Sequence, residues 1–78
     1  MANIQVGNKV RILANDNVKG HQWPSLKLLE AKHLKDKFGI VIPAMRALPD
    51  DEVFVKLDNG WTVIISKSHL TPVPPLNQ

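Results

Sequence analysis

Seventy-eight residues with ten Lys/Arg, seven Asp/Glu and no cysteine describe one small basic domain, residues 1–78, with no room for a second core. A core of that size supplies no more than about 5 kcal/mol of net stability. The missing cysteines exclude a disulfide framework, a thiolate nucleophile and a cysteine-based metal site, and they suit a reducing compartment. No apolar run reaches the ~18 residues of a membrane span, and the start Met1-Ala2-Asn3-Ile4-Gln5 lacks the basic and apolar regions of a signal peptide, so the cytoplasm is the expected location. The net charge of +3 is unevenly spread: residues 1–46 carry +5 and residues 47–78 carry −2. A segregated basic half attracts phosphates or an acidic protein surface.

Residues 1–5 read as a loose arm, and Val6-Gly7-Asn8 as a turn into a first strand, Lys9-Val10-Arg11-Ile12-Leu13. Its alternation turns Val10 and Ile12 inward and Lys9 and Arg11 outward. Clustered Asn, Asp and Gly in residues 14–20 break regular structure and open a long connection over residues 14–37. Within it Ser25 is an N-cap candidate, and Leu26, Leu29 and Leu34 form one stripe of a helix ending near Lys37; an extended meander is the alternative.

Phe38-Gly39-Ile40-Val41-Ile42-Pro43 reads as the second strand, with Gly39 allowing close backbone approach and Pro43 ending the pairing. A polar loop with a turn at Pro49-Asp50 leads to the strongest local signal in the chain, two β-rich runs flanking Asn59-Gly60. A two-residue loop would mix polar and apolar side chains on both faces. A three-residue loop, with Gly60 left-handed in a G1 bulge, pairs Leu57 with Trp61, Val55 with Val63 and Val53 with Ile65, and makes one face wholly apolar. The other face then carries Phe54, Lys56, Thr62 and Ile64, and its two large apolar groups need cover from this chain or from a partner. Lys67-Ser68-His69-Leu70 makes one helical turn, Thr71-Pro72-Val73 a last edge strand, and residues 74–78 a frayed end. The expected inward set is Val10, Ile12, Ile40 or Val41, Val53, Val55, Leu57, Trp61, Val63, Ile65, Leu70 and Val73.

Five short strands, a long first connection, a tight hairpin and one helical turn before the last strand are the element order of a mainly β, small five-stranded SH3-like barrel. The segments Val6-Gly7-Asn8-Lys9-Val10-Arg11-Ile12, Lys37-Phe38-Gly39-Ile40-Val41-Ile42, Val53-Phe54-Val55-Lys56-Leu57 and Val63-Ile64-Ile65-Ser66-Lys67-Ser68-His69-Leu70-Thr71-Pro72-Val73 resemble those of SH3-like barrels of the KOW and translation-protein type. The closing His69-Leu70-Thr71-Pro72 is similar to the ends of SH3-like ribosomal proteins and of integrase C-terminal domains, a resemblance that implies nucleic-acid binding. The plan is also similar to that of small cyanobacterial and plastid SH3-like subunits, which implies docking on a larger protein. A barrel by itself hosts many functions.

Nothing in the chain reads as catalytic. His21, His33 and His69 have no zinc-site or helical i, i+4 spacing, Ser25, Ser66 and Ser68 have no nucleophile-elbow context, and Asp50, Asp51 and Glu52 read as a solvated turn. The chain has no tyrosine to match the site of an SH3-like reductase, and no cofactor, metal or small-molecule substrate is expected. The function expected first is a nucleic-acid contact in which Arg11, Lys19, Lys27, Lys32, Lys35 and Lys37 meet phosphates and Trp23 stacks on a base. Trp23 has a second reading, as a lid folded over Phe54 and Ile64. The alternative function is an adaptor or regulatory subunit that docks on a larger protein or a kinase through Phe54, Lys56, Thr62 and Ile64.

Overall fold

The computed structural model describes residues 4–74. Its strands are β1 (Lys9–Ile12), β2 (Gly20–Trp23), β3 (Leu28–Leu29), β4 (Phe38–Ile42), β5 (Glu52–Leu57), β6 (Thr62–Ser66) and β7 (Leu70–Pro72). A four-residue helix α1 (Ala31–Leu34) lies between β3 and β4, and a 3-10 turn (Lys67–His69) leads into β7. The seven strands form one antiparallel sheet in the order β3-β2-β6-β5-β4-β1-β7, which does not close, so that β3 and β7 are its edges.

The register of β5 and β6 organises the rest. Val55 pairs with Val63 and Val53 with Ile65, and the Leu57 N–H donates to the Trp61 carbonyl at 2.8 Å, which is the three-residue-loop register. Gly60 takes φ +97°, a left-handed conformation that a side chain would strain. Because side chains alternate across a strand, this register sends Val53, Val55, Leu57, Val63 and Ile65 to one face. There they join Val10, Ile12, Val41 and Leu70 in a single apolar cluster, with Val53 and Trp61 packed at its margin. In β4 the inward residue is Val41, whereas Ile40 faces outward and is 46% exposed.

The connection over residues 14–37 differs from the expected helix, and the strand count rises from five to seven because β2 and β3 come from it. Leu26 has φ +61°, outside helical space, and the Trp23-Pro24 peptide is cis, so the chain turns back on itself where a helix was to begin. The Leu26 N–H donates to the Gln22 carbonyl at 2.6 Å, and Gln22 N–H to the Lys27 carbonyl at 2.8 Å, closing a tight hairpin. The Ser25 hydroxyl accepts from the Lys27 N–H at 3.3 Å within this turn and caps no helix. The leucine stripe divides accordingly: Leu26 is exposed, Leu29 is buried from β3, and Leu34 is buried from α1. Helix α1 ends where Asp36, at φ +67°, donates its N–H to the Ile12 carbonyl at 2.9 Å and returns the chain to β1.

Three further residues complete the core. Ile4 and Val18 join the main cluster with Ala31. Ile4 is held by the turn that follows it, where Gln5 N–H donates to Asn8 Oδ1 at 2.8 Å and Gly7 N–H to the Val41 carbonyl at 2.8 Å. Residues 1–3 and 75–78, which fall within the arm and tail expected to fray, lie outside the described residues.

Gly39 sits where β4 passes closest to β5. A Cβ built there would lie 2.6 Å from the Lys56 carbonyl oxygen and 2.7 Å from Val55 Cγ1, distances that a rigid ladder cannot relieve. The Gly39→Ala variant is expected to lose about 2–3 kcal/mol, roughly twice the loss at Gly60→Ala, where only backbone strain acts. Urea unfolding of both variants checks the order.

Candidate functional site

Pairing across the sheet defines the outer face row by row. One row runs Lys9, Ile40, Lys56, Thr62 and Trp23 across β1, β4, β5, β6 and β2. The next runs Ile42, Phe54, Ile64, His21 and Leu28. Arg11 and Phe38 are partners in the β1–β4 pair at one end of that face.

The two rows have different surroundings. Phe54 is 0% exposed, because Trp23 sets its indole against the phenyl ring with centroids 5.3 Å apart and planes at 82°, the edge-to-face geometry aromatic quadrupoles favour. Phe54 also lines a recess with Ile42, Ala47 and Leu48 of the β4–β5 connection. Ile64 is buried as well, and it lines a second recess, of about 330 Å³, with His21, Leu26, Arg46 and Leu48. The β2–β3 hairpin and the β4–β5 connection therefore cover the two apolar groups that sequence alternation turned outward. Of the four residues expected to dock a protein, Lys56 and Thr62 remain at the surface while Phe54 and Ile64 do not, and that patch is corrected on this point.

The other end of the face is open. Phe38 is 38% exposed, and Lys9 Nζ lies 5.9 Å from its ring centroid. Ile40 is exposed between Lys9 on β1 and Lys56 on β5, its two cross-strand partners. The sequence offers Ile40 as one of two inward candidates and Lys9 among the cations that could meet phosphates, and it gives Phe38 no site role. The signal was present in the period-two spacing of Phe38, Ile40 and Ile42 opposite Val41.

The cations expected to meet phosphates are spread around the connection. Arg11 Nη2 pairs with Asp36 at 2.8 Å, and Lys35 Nζ with Asp16 at 3.2 Å. Lys19 stands before β2, Lys27 in the β2–β3 turn and Lys32 on α1, all exposed, while Lys37 is half-buried before β4. Lys19 and Lys32 meet at one shallow recess together with Asp16 and Glu30. Trp23, expected to stack on a base, is half-buried against Phe54, which is the lid arrangement.

Side chains with catalytic potential have structural company. The Ser66 hydroxyl accepts the Ser68 N–H at 3.2 Å and lies 2.9 Å from the Ser68 hydroxyl, capping the 3-10 turn. The Asp51 carbonyl accepts the Lys67 N–H at 2.7 Å, tying the acidic turn to the end of β6. His21, His33 and His69 sit on β2, α1 and the 3-10 turn respectively. Among the described residues no group of three or more His, Cys, Asp or Glu could hold a metal ion, and no helix is long and apolar enough to cross a membrane. Comparison with protein-family models, with curated proteins and with solved structures finds no match to this chain.

If Trp23 closes the fold over Phe54, Trp23→Ala should cost about 2 kcal/mol, less than a fully buried Trp because the indole is half exposed, while Trp23→Phe should keep most of the edge contact. Urea midpoints of the two variants distinguish this arrangement from a freely exposed ring, for which both substitutions would be nearly neutral.

Proposed function

We propose that this chain is a small SH3-like barrel acting as a non-catalytic binding module for nucleic acid. Support for the barrel comes from element order: a long first connection, a β4–β5–β6 meander, a 3-10 turn, and a last strand paired back onto β1. The observation that carries the function is the display of Lys19, Lys27, Lys32 and Lys35 as exposed side chains along one connection, in the half of the chain with a charge of +5. Cations on such a surface replace the counterions condensed on a polyphosphate and release them into solution, which favours binding and needs no deep pocket. The two carboxylate partners are no obstacle, since exposed ion pairs contribute about 0–1 kcal/mol and a phosphate can take over the cation. The absence of cysteine is in keeping with a reducing, cytoplasmic setting.

A second reading, docking on a larger protein, draws on the recess of about 330 Å³ beside the β2–β3 hairpin. Leu26, an exposed apolar residue, lines it, and Arg46 and Glu52 supply polar groups at the recess itself. An apolar dock of this kind would respond weakly to salt.

The two readings separate in one titration. Binding of oligonucleotides of about 16 nucleotides, single- and double-stranded, should fall steeply between about 50 and 200 mM salt, with a log–log slope near −0.7 per single-strand phosphate contact and −0.9 per duplex contact. Lys27→Gln and Lys32→Gln should each reduce that slope by about one phosphate contact. Absence of binding at the lowest salt would overturn the nucleic-acid reading.

A further inference from the structure

Resting on the nucleic-acid reading, we infer that the open outer face of β1, β4 and β5 is a stacking surface for single-stranded nucleic acid, with Phe38 as its platform in place of Trp23. Trp23 is committed elsewhere: its indole packs edge-on against a fully buried Phe54, so a base stacking there would have to share the ring or dismantle the cover of the outer row. Phe38 has no such duty. It stands at the first position of β4 with 38% of its surface exposed, and Ile40, two residues on and on the same face, is 46% exposed.

The charges beside this apolar strip specify its occupant. Lys9 lies on the neighbouring strand with its ammonium 5.9 Å from the Phe38 centroid, Arg11 is the cross-strand partner of Phe38, and Lys56 is the partner of Ile40 on the opposite side. An aromatic and aliphatic strip bordered by cations on both adjacent strands complements a chain that alternates flat bases with phosphates. A base placed on the Phe38 ring displaces the Lys9 ammonium, which then meets the neighbouring phosphate. One cation exchanges a ring face for an anion.

Two carboxylates border the same region. Asp36 accepts from Arg11 at 2.8 Å, and Asp58, whose N–H donates to the Phe38 carbonyl at 2.9 Å, lines a shallow recess with Asp36, Lys37 and Phe38. Both lie at the Phe38 end, so the phosphate path runs from Lys9 toward Lys56, past Ile40. Duplexes are excluded from the stacking contact because paired bases keep their π-faces inside the helix.

The experiment is an amide chemical-shift titration of labelled protein with a mixed-sequence single strand of about 8 nucleotides and with the matching duplex, for wild type, Phe38→Leu, Trp23→Phe and Lys56→Gln. Unchanged shift dispersion and urea midpoint establish that Phe38→Leu is folded. The expected result is single-strand shifts on Lys9, Arg11, Phe38, Ile40 and Lys56. Affinity should drop roughly 5- to 150-fold in Phe38→Leu with its salt slope intact, while Trp23→Phe stays near wild type and Lys56→Gln loses about 0.7 of slope, one single-strand phosphate contact. Duplex affinity should be the same in Phe38→Leu as in wild type. Wild-type affinity in Phe38→Leu, with shifts confined to Lys19, Lys27 and Lys32, would overturn this inference and leave the nucleic-acid reading standing. Silence toward every oligonucleotide at low salt would overturn both.

Discussion

The left-handed Gly60 is the constraint on which the structure depends. It lets residues 58–60 close the β5–β6 hairpin, with the Gly60 N–H donating to the Leu57 carbonyl at 3.0 Å and Asn59 Oδ1 accepting the Trp61 N–H at 2.9 Å. A slip of one residue would set Val55 against Ile64 and Leu57 against Thr62, so that Thr62 would enter the core while Val63 and Ile65 left it, an exchange a domain of this size cannot sustain. The same register leaves Phe54 and Ile64 on the far side, where they need cover. That need gives β2 its place beside β6: the strand pairs His21 with Ile64 and brings Trp23 within reach of Phe54. One turn thus determines both the inner core and the part of the long connection that must fold back over the sheet.

Electrostatics plays little part in holding this fold. Both side-chain ion pairs among the described residues are exposed, with the Asp16 side chain 92% accessible, so solvent and salt screen them. The buried set contains no polar or charged residue among the described residues. The cations are consequently available to outside anions at little expense to stability, and the apolar core alone answers for rigidity. Packing and recognition are assigned to different side chains, and substitutions at Lys27 or Lys32 can report on binding without a confounding loss of fold.

Much of the sheet was legible in the sequence because its signals are local. The Asn59-Gly60 turn, the alternation of β1 and the Pro43 stop each act within a few residues, and β1, β4, β5, β6, β7 and the 3-10 turn fall close to where those signals put them. Residues 25–37 were not legible, for a reason visible in their leucines. Leu29 and Leu34 reach the core from a strand and from a single helical turn, and their spacing imitates a helical stripe although Leu26 points away. The left-handed Leu26 has no propensity signal, since leucine seldom takes a positive φ. At the candidate site the cations were readable as charge, but which apolar groups stay open was not. Phe54 and Ile64 alternate outward in sequence as Phe38 and Ile40 do; only the distant Trp23 and the β4–β5 connection decide which pair is covered.

The open sheet order also bears on how the molecule behaves in a crowd. An unclosed sheet exposes a row of unpaired amides at each edge, the usual template for strand addition between molecules. Here the edges are the two shortest strands, β3 with two residues and β7 with three. Pro72 removes one donor from β7, and α1 begins two residues after β3. The long, strongly apolar strands β5 and β6 lie in the interior of the order, where neighbours already satisfy both sides. A protein rich in Val and Ile strands therefore presents other copies of itself with almost no ladder to extend, and its sheet can stay open without inviting fibrils.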